Sequence, residues 1–202
     1  MTAPAATEDL SSALDWIVGQ DVPYRLWIHE ELTDVLVKDA RERAMEQAAW
    51  LMPQMVLLPG PEPPSPAQGV RVRAVSDARS LDEYRRVLVE DGTSEDVARR
   101  LFSDSFAADR EVQLLTAYLE NRAVGTSLAI RTGDVSGVYA VGTLPDARRR
   151  GVGTAATWSA VAAGRDWGCE TVVLQASEMG FPVYRAMGFR TVVRYALFRP
   201  SA

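Results

Sequence analysis

A run of three arginines and two glycines is the part of the sequence best suited to bind an anion: Arg148-Arg149-Arg150-Gly151-Val152-Gly153-Thr154. Apolar residues before it, Val138 to Leu144, predict a strand, and apolar residues at helical spacing after it predict a helix. Glycines at the first turn of a helix leave backbone N–H groups uncovered, and the helix N-terminus adds partial positive charge. The segment can therefore bind a phosphate or diphosphate. A tight turn with solvated arginines would account for the same residues, since short glycine motifs are frequent.

A second motif, Tyr184-Arg185-Ala186-Met187-Gly188-Phe189, follows the strand-like segment Thr171 to Ser177. Together, and in this order after Pro145, the two motifs resemble those of the GCN5-related N-acetyltransferase (GNAT) superfamily. Arg148, Gly151 and Gly153 match its acyl-CoA signature Arg/Gln-x-x-Gly-x-Gly/Ala. Its later Tyr-x-x-x-Gly-Phe motif is matched by Tyr184, Gly188 and Phe189. The resemblance covers roughly residues 69–200.

The resemblance implies an α/β fold with a mixed, mostly antiparallel twisted sheet of the acyl-CoA N-acyltransferase type. It also implies transfer of an acetyl group from acetyl-CoA, as cosubstrate, to a primary amine by direct attack. In such a protein the diphosphate lies on the amides of the turn, and the pantetheine arm pairs with the backbone of the preceding strand. The implied cofactor-binding residues are Val141, Thr143, Arg148, Arg149, Arg150, Gly151, Val152, Gly153, Thr154 and Ser177.

Tyr184 is the candidate general acid that the resemblance implies. A CoA thiolate resembles a thiol with a pKa of about 8.5, so protonation helps it to leave at neutral pH. A phenol with a pKa of about 10 still holds its proton there and can donate it. The alternative role for Tyr184 is that of an ordinary amphipathic core residue on a short helix.

The general base is not evident, because the strand before the turn, residues 138–143, contains no carboxylate. Many members of the superfamily carry one there, so this sequence departs from the pattern. Glu178, Glu111 and Glu120 are candidates, although each also suits a solvated surface. We expect either deprotonation relayed through water or a substrate amine of low pKa. A flat pH profile between about pH 6 and 8 on lysine-type amines would contradict this expectation.

Composition excludes several other classes of protein. The chain has 202 residues, is 47% hydrophobic and carries a net charge of −5, which argues against bulk nucleic-acid binding and weakly favours cationic partners. Cys169 is the only cysteine, which excludes an intramolecular disulfide and a Cys/His metal cluster and suits a cytoplasmic protein. Met1 to Asp9 lacks the features of a signal peptide, and no apolar run is long enough for a membrane span.

A proline-rich stretch, Pro59-Gly60-Pro61-Glu62-Pro63-Pro64-Ser65-Pro66, marks the predicted domain boundary. We expect an N-terminal α/β extension over 1–58, a linker over 59–68 and the acetyltransferase domain over 69–202. In the extension the spacing of apolar residues predicts a long helix over Thr33–Met52. His29, the only histidine, should be structural.

Several questions stay open at the level of the sequence. A small-molecule amine, a peptide N-terminus and a protein lysine are all open as acceptor, with the small molecule slightly favoured by the net charge, and a homodimer is one option. A non-catalytic acyl-CoA-binding sensor or interaction module would keep the same motifs and lack turnover. A nucleotide-binding domain would need an acidic residue for the ribose, and Glu170 lies near the required spacing, but no first βαβ unit is evident.

Overall fold

A computed structural model describes residues 7–20, 24–60 and 63–200. Residues 1–6 of the predicted extension, and Pro61 and Glu62 of the predicted linker, lie outside the described part. The chain forms two compact units: unit 1 comprises Met1–Met55, Ala176–Pro182 and Thr191–Ala202, and unit 2 comprises Val56–Gln175 and Val183–Arg190. The division into extension, linker and acetyltransferase domain stays a prediction.

The elements follow one another in a mixed α/β order. In chain order they are α1 (Thr7–Val18), β1 (Leu26–His29), a 3-10 turn (Glu30–Leu32), α2 (Thr33–Glu42), β2 (Met45–Gln47), β3 (Met52–Leu57), β4 (Val70–Ala74), α3 (Ala78–Glu90), α4 (Glu95–Leu101), α5 (Asp104–Ala107), β5 (Val112–Leu119), β6 (Arg122–Thr132), β7 (Val135–Thr143), a 3-10 turn (Pro145–Ala147), α6 (Val152–Asp166), β8 (Thr171–Gln175), α7 (Phe181–Ala186) and β9 (Arg190–Pro200).

Unit 1 contains segments from both the N-terminal and the C-terminal part of the chain, and β9 pairs with strands of the N-terminal part. This strand pairs antiparallel with β1, Leu26 opposite Phe198, and with β2, Met45 opposite Pro200. Its apolar core is formed by Leu14, Ile28, Leu36, Ala40, Met45, Ala196 and Phe198. His29 is half-buried at the end of β1 and packs edge-to-face on Tyr195.

The long helix predicted over Thr33–Met52 is wrong beyond Glu42. The chain turns at Ala44, which adopts a positive φ of 53°, and Met45–Gln47 then forms β2 against β9. The helical spacing of apolar residues continues across this turn by coincidence. A three-residue strand is too short to show an alternation of its own, so no residue pattern indicated β2. A partner strand distant in sequence decided the local structure.

Unit 2 contains a five-stranded sheet in the order β8-β7-β6-β5-β4. Neighbouring strands run antiparallel except for the parallel pair β7–β8. This mixed, mostly antiparallel α/β architecture confirms the predicted fold class. The strands β5 and β6 form a hairpin that turns at Glu120 and Asn121.

The helices α3 and α6 contact neighbouring residues of β6. Leu128 packs with Tyr84 and Leu88 of α3, whereas the Ser127 hydroxyl donates a hydrogen bond to the Ala156 carbonyl of α6. Successive side chains of a strand point to opposite faces. The helices therefore cover opposite faces of the sheet. None of the helices in the described residues is long and apolar enough to cross a membrane.

Candidate active site

The strands β7 and β8 stop pairing about halfway along β7. Their parallel ladder runs from Val135 opposite Thr171 to Val138 opposite Leu174. Beyond Val138, β7 continues on β6 alone, with Gly142 opposite Thr126 and Thr143 opposite Gly125. Residues 139–143 thus form one side of an open slot, in which backbone N–H and C=O groups on the former β8 side are available to a ligand.

A β-bulge at Ala140 bends β7 where the slot begins. The β6–β7 register shifts between Thr126 and Leu128, and Ala140 has a positive φ of 47°. The Thr126 hydroxyl donates a hydrogen bond of 2.8 Å to the Ala140 carbonyl. Bulges increase local bending and re-aim backbone groups, so this one explains why β7 diverges from its parallel neighbour.

The slot leads into the arginine-glycine turn and the N-terminus of α6. A 3-10 turn at Pro145–Ala147 is followed by Arg149 and Gly151 in left-handed conformations, with φ of 58° and 79°. Gly151 is the N-cap of α6 and provides no side-chain cap, and the first helical bond runs from the Ala155 amide to its carbonyl. The amides of Val152, Gly153 and Thr154 therefore face outward from an uncapped helix N-terminus, an arrangement suited to an anion.

Close packing at this turn requires a glycine at 151 but not at 153. A Cβ on Gly151 would lie 2.8 Å from the Ala67 Cβ, and its positive φ adds strain for any other residue. A Cβ on Gly153 would lie 3.4 Å from the Thr143 hydroxyl oxygen, so Thr143 would need to move only slightly to accommodate it. The contact also shows that the end of β7 and the first turn of α6 meet.

The three arginines differ in their surroundings. Arg148 turns back toward the strand: its Nε donates to the Thr143 carbonyl at 2.9 Å, and its Nη2 donates to the Asp91 carboxylate at 3.2 Å. Arg149 and Arg150 are exposed beside the turn. All three place positive charge close to the uncovered amides.

Tyr184 lies on α7 and is buried, with its ring packed edge-to-face on Phe189. Burial raises the pKa of Tyr184, and a hydrogen bond with the Thr157 side chain opposes that rise. Thr157 in turn donates to the Gly153 carbonyl at 2.8 Å. The phenol is therefore connected through Thr157 to the first turn of α6, and it stays protonated at neutral pH.

Asp91, which follows α3, is not among the predicted site residues, yet it lies against the slot. Its carboxylate oxygen Oδ2 lies 2.8 Å from the position that a Cβ on Gly142 would occupy. The signal available in the sequence was the pair Asp91-Gly92, because glycine commonly ends a helix and fixes the residue before it. Nothing in the sequence pattern indicated that this helix end lies against β7.

The other predicted site residues are distributed over both units. Val141 and Thr143 are half-buried along the slot. Ser177 belongs to unit 1, where its hydroxyl accepts a hydrogen bond of 3.1 Å from the Gly180 amide. Among the candidate bases, Glu111 and Glu120 are exposed at the two ends of β5.

Part of the proline-rich stretch lines a groove along α6. Residues 63–67 face Gly151, Thr154, Ala155, Trp158, Ser159 and Ala162 across a cavity of about 360 Å³. The groove begins at the arginine-glycine turn, because Gly151 is part of both. A ligand with a diphosphate on the turn would have space here for a further group.

Comparison with known proteins identifies the family. Residues 78–189, more than half of the chain, match the model of the acetyltransferase (GNAT) family. The chain therefore belongs to this family, as its two motifs predicted. None of the curated proteins compared with the sequence matches it.

Solved structures share the fold at low sequence identity. A GCN5-related N-acetyltransferase from Kribbella flavida is 18% identical, with a TM-score of 0.74 over 99% of this chain and 77% of that chain. One from Sphaerobacter thermophilus is also 18% identical, with a TM-score of 0.74 over 97% and 69%. AAC(6')-Iy, in complex with the bisubstrate analogue CoA-S-monomethyl-acetylneamine, is 18% identical, with a TM-score of 0.52 over 60% of this chain and 90% of that chain.

Proposed function

We propose that the protein transfers an acetyl group from acetyl-CoA to a primary amine by direct attack of the amine on the thioester. The observation that carries this proposal is the continuity between the open slot at 139–143 and the uncapped turn that starts α6. An extended arm can pair with the backbone of Val141 and Thr143 while a diphosphate binds the amides of Val152 to Thr154. The exposed arginines at 148–150 add charge.

The nucleotide end of the cosubstrate would then lie in the groove between residues 63–67 and α6. The pantetheine arm leaves the turn along β7, so the adenosine leaves it on the other side, where the groove begins at Gly151. This assignment gives the proline-rich stretch a role in cosubstrate binding. Ser177 remains a proposed cosubstrate contact on the strength of the resemblance.

Tyr184 is the proposed general acid. Its raised pKa keeps the phenol protonated at neutral pH, and its contact with Thr157 holds it beside the helix whose N-terminus binds the diphosphate. Because the thiolate needs one proton to leave as a thiol, a buried phenol that still carries its proton is a suitable donor.

A small-molecule amine is the acceptor that we favour. The net charge of −5 attracts cationic partners, and AAC(6')-Iy of the same fold binds an analogue that joins CoA to acetylneamine. The non-catalytic alternative drew its support from the missing strand carboxylate. That support weakens now that a carboxylate from another element is found against the strand.

A calorimetric titration with acetyl-CoA tests the proposal first. Wild-type protein should bind the cosubstrate and, in a following screen, release free CoA when supplied with amines. Binding without thioester consumption across a broad amine panel would favour the sensor, and absence of binding would refute the proposed function.

A further inference from the structure

Gly142 leaves a space on β7 that a carboxylate from another element fills. A side chain at position 142 would begin 2.8 Å from the Asp91 Oδ2 atom and 3.3 Å from the Thr126 hydroxyl oxygen. Since Gly142 is one of residues 139–143, the carboxylate lies against the slot itself. It therefore stands where a side chain of that strand would stand.

The end of α3 fixes the position of Asp91. The Gly92 amide bonds to the Val89 carbonyl and the Thr93 amide to the Leu88 carbonyl, which together form a Schellman motif. Gly92 supplies the positive φ, 106°, that this motif requires. A negative charge at a helix C-terminus opposes the helix dipole, so helix stability does not explain why an acidic residue occupies this position.

The charged groups around Asp91 come from two elements. Arg148 contacts it from the segment after β7, with Nη2 3.2 Å from Oδ1. On α3 itself, the neighbouring Glu90 is paired with Arg86 at 3.0 Å. The Asp91 side chain is 26% exposed. It is thus open to a ligand and already accepts one cationic N–H donor, the kind of group that a substrate ammonium also presents.

We infer that Asp91 is the base that takes the proton of the acceptor ammonium, in place of the strand carboxylate that β7 lacks. This inference rests on the proposed function. The ammonium gives one proton to the Asp91 carboxylate, which later releases it to solvent. The amine lone pair then forms the C–N bond to the thioester carbonyl carbon, and the C–S bond breaks with its electron pair on sulfur. The second proton lost by nitrogen balances the proton that the thiolate gains.

A comparison of two acceptors tests this role. Wild type, Asp91→Asn and Glu90→Gln are assayed for free CoA with benzylamine, an alkylamine that is mostly protonated at neutral pH, and with aniline, which is mostly neutral. Asp91→Asn should lower kcat/KM for benzylamine by about 100-fold or more at neutral pH, and the loss should shrink as the pH is raised toward the pKa of the amine. With aniline it should lose less than about threefold, because no proton must be removed before attack.

Two controls separate this role from a structural one. Asn keeps the size of Asp and can still accept from Arg148, so calorimetry should show acetyl-CoA binding to Asp91→Asn at near wild-type affinity. Glu90→Gln removes the adjacent charge and should leave both activities unchanged. Equal losses with both amines, or no loss with benzylamine, would overturn the inference and leave the proposed function standing. A wild type that consumes no thioester with either amine or a wider panel would overturn both.

Discussion

The Oδ2 atom of Asp91 lies 2.8 Å from the position of a Cβ at Gly142, a separation that no side chain at 142 could keep. The backbone of one strand and the carboxylate that ends a distant helix therefore share a single space. Glycine at 142 is required by this packing rather than by its backbone conformation, since its φ is not in the left-handed region.

Gly142→Ala should displace the Asp91 carboxylate, because the end of a side chain moves more easily than the strand. We expect kcat/KM for an alkylamine to fall by about tenfold or more, with a stability loss of about 1–2 kcal/mol from the crowded methyl. Steady-state kinetics and thermal unfolding measure the two effects. Gly60→Ala is a control, since a Cβ there would lie 3.6 Å from its nearest neighbour. Unchanged kinetics in Gly142→Ala would show that the position of the carboxylate is immaterial.

Gly153→Asp should abolish acetyl-CoA binding and spare the fold. The new carboxylate would lie at the uncapped turn, and two like charges about 4 Å apart repel by about 4 kcal/mol at an effective dielectric constant of about 20. That energy corresponds to nearly a thousandfold in affinity. Calorimetry measures the loss, with Gly153→Ala as the matched control that adds the Cβ without the charge. Normal binding by the aspartate variant would refute the anion site.

Gly151→Glu should behave differently from Gly153→Asp, although both lie in the same turn. Its positive φ of 79° and the 2.8 Å approach to Ala67 add backbone strain and a clash to the repulsion of the ligand. We therefore expect loss of binding together with a lower melting temperature, measured by thermal unfolding without ligand. A melting temperature equal to that of wild type would show that the segment around Ala67 is free to move away.

The sequence predicted the turn between strand and helix, and it singled out Tyr184 as a candidate general acid, because both motifs are local. Glycines at a strand–helix junction and a Tyr before Gly-Phe are visible in consecutive residues. Asp91 was not predicted, because its proposed role depends on where α3 ends relative to β7, and no spacing along the chain encodes that distance. The slot was not predicted either. The sequence indicated the strands β7 and β8, but the point where their pairing stops depends on the bulge at Ala140.

The predicted end of helix α2 was wrong for a related reason. Met45–Gln47 is a strand only because β9, near the other end of the chain, pairs with it. Local propensity is a weak guide where a partner strand supplies the hydrogen bonds. The helix α6 was predicted correctly, because its start at Gly151 and its apolar spacing are both visible in consecutive residues.

Tyr184→Phe should lower kcat by about 100-fold or more and leave acetyl-CoA binding intact, because it removes only the proton donor. Rapid-mixing kinetics and calorimetry separate the two quantities. The loss should be smaller with a thioester whose thiol is more acidic, since such a leaving group needs less help. Tyr195→Phe, on β9 in unit 1, is the control and should leave both kcat and acetyl-CoA binding unchanged. Equal losses with both thioesters would assign Tyr184 to packing.

Tyr84 is a separate case of a buried phenol, one that lies in the apolar core of unit 2. Among the residues that the structure describes, its hydroxyl has no hydrogen-bond partner, and burial raises the pKa of Tyr84 above its ordinary value. Removing an unsatisfied buried hydroxyl relieves a desolvation cost of about 1–3 kcal/mol. Tyr84→Phe should therefore be as stable as wild type or more stable at neutral pH.

The pH dependence of stability should differ between wild type and Tyr84→Phe. A group whose pKa is raised in the folded state contributes stability below its unfolded pKa, about 10 for tyrosine, and loses it as the pH rises from there toward the folded value. Wild type should accordingly lose stability above about pH 10 more steeply than Tyr84→Phe. Urea unfolding at pH 8 and at pH 10.5 measures the difference. A Phe variant that is less stable at pH 8 would show that a buried water satisfies the hydroxyl.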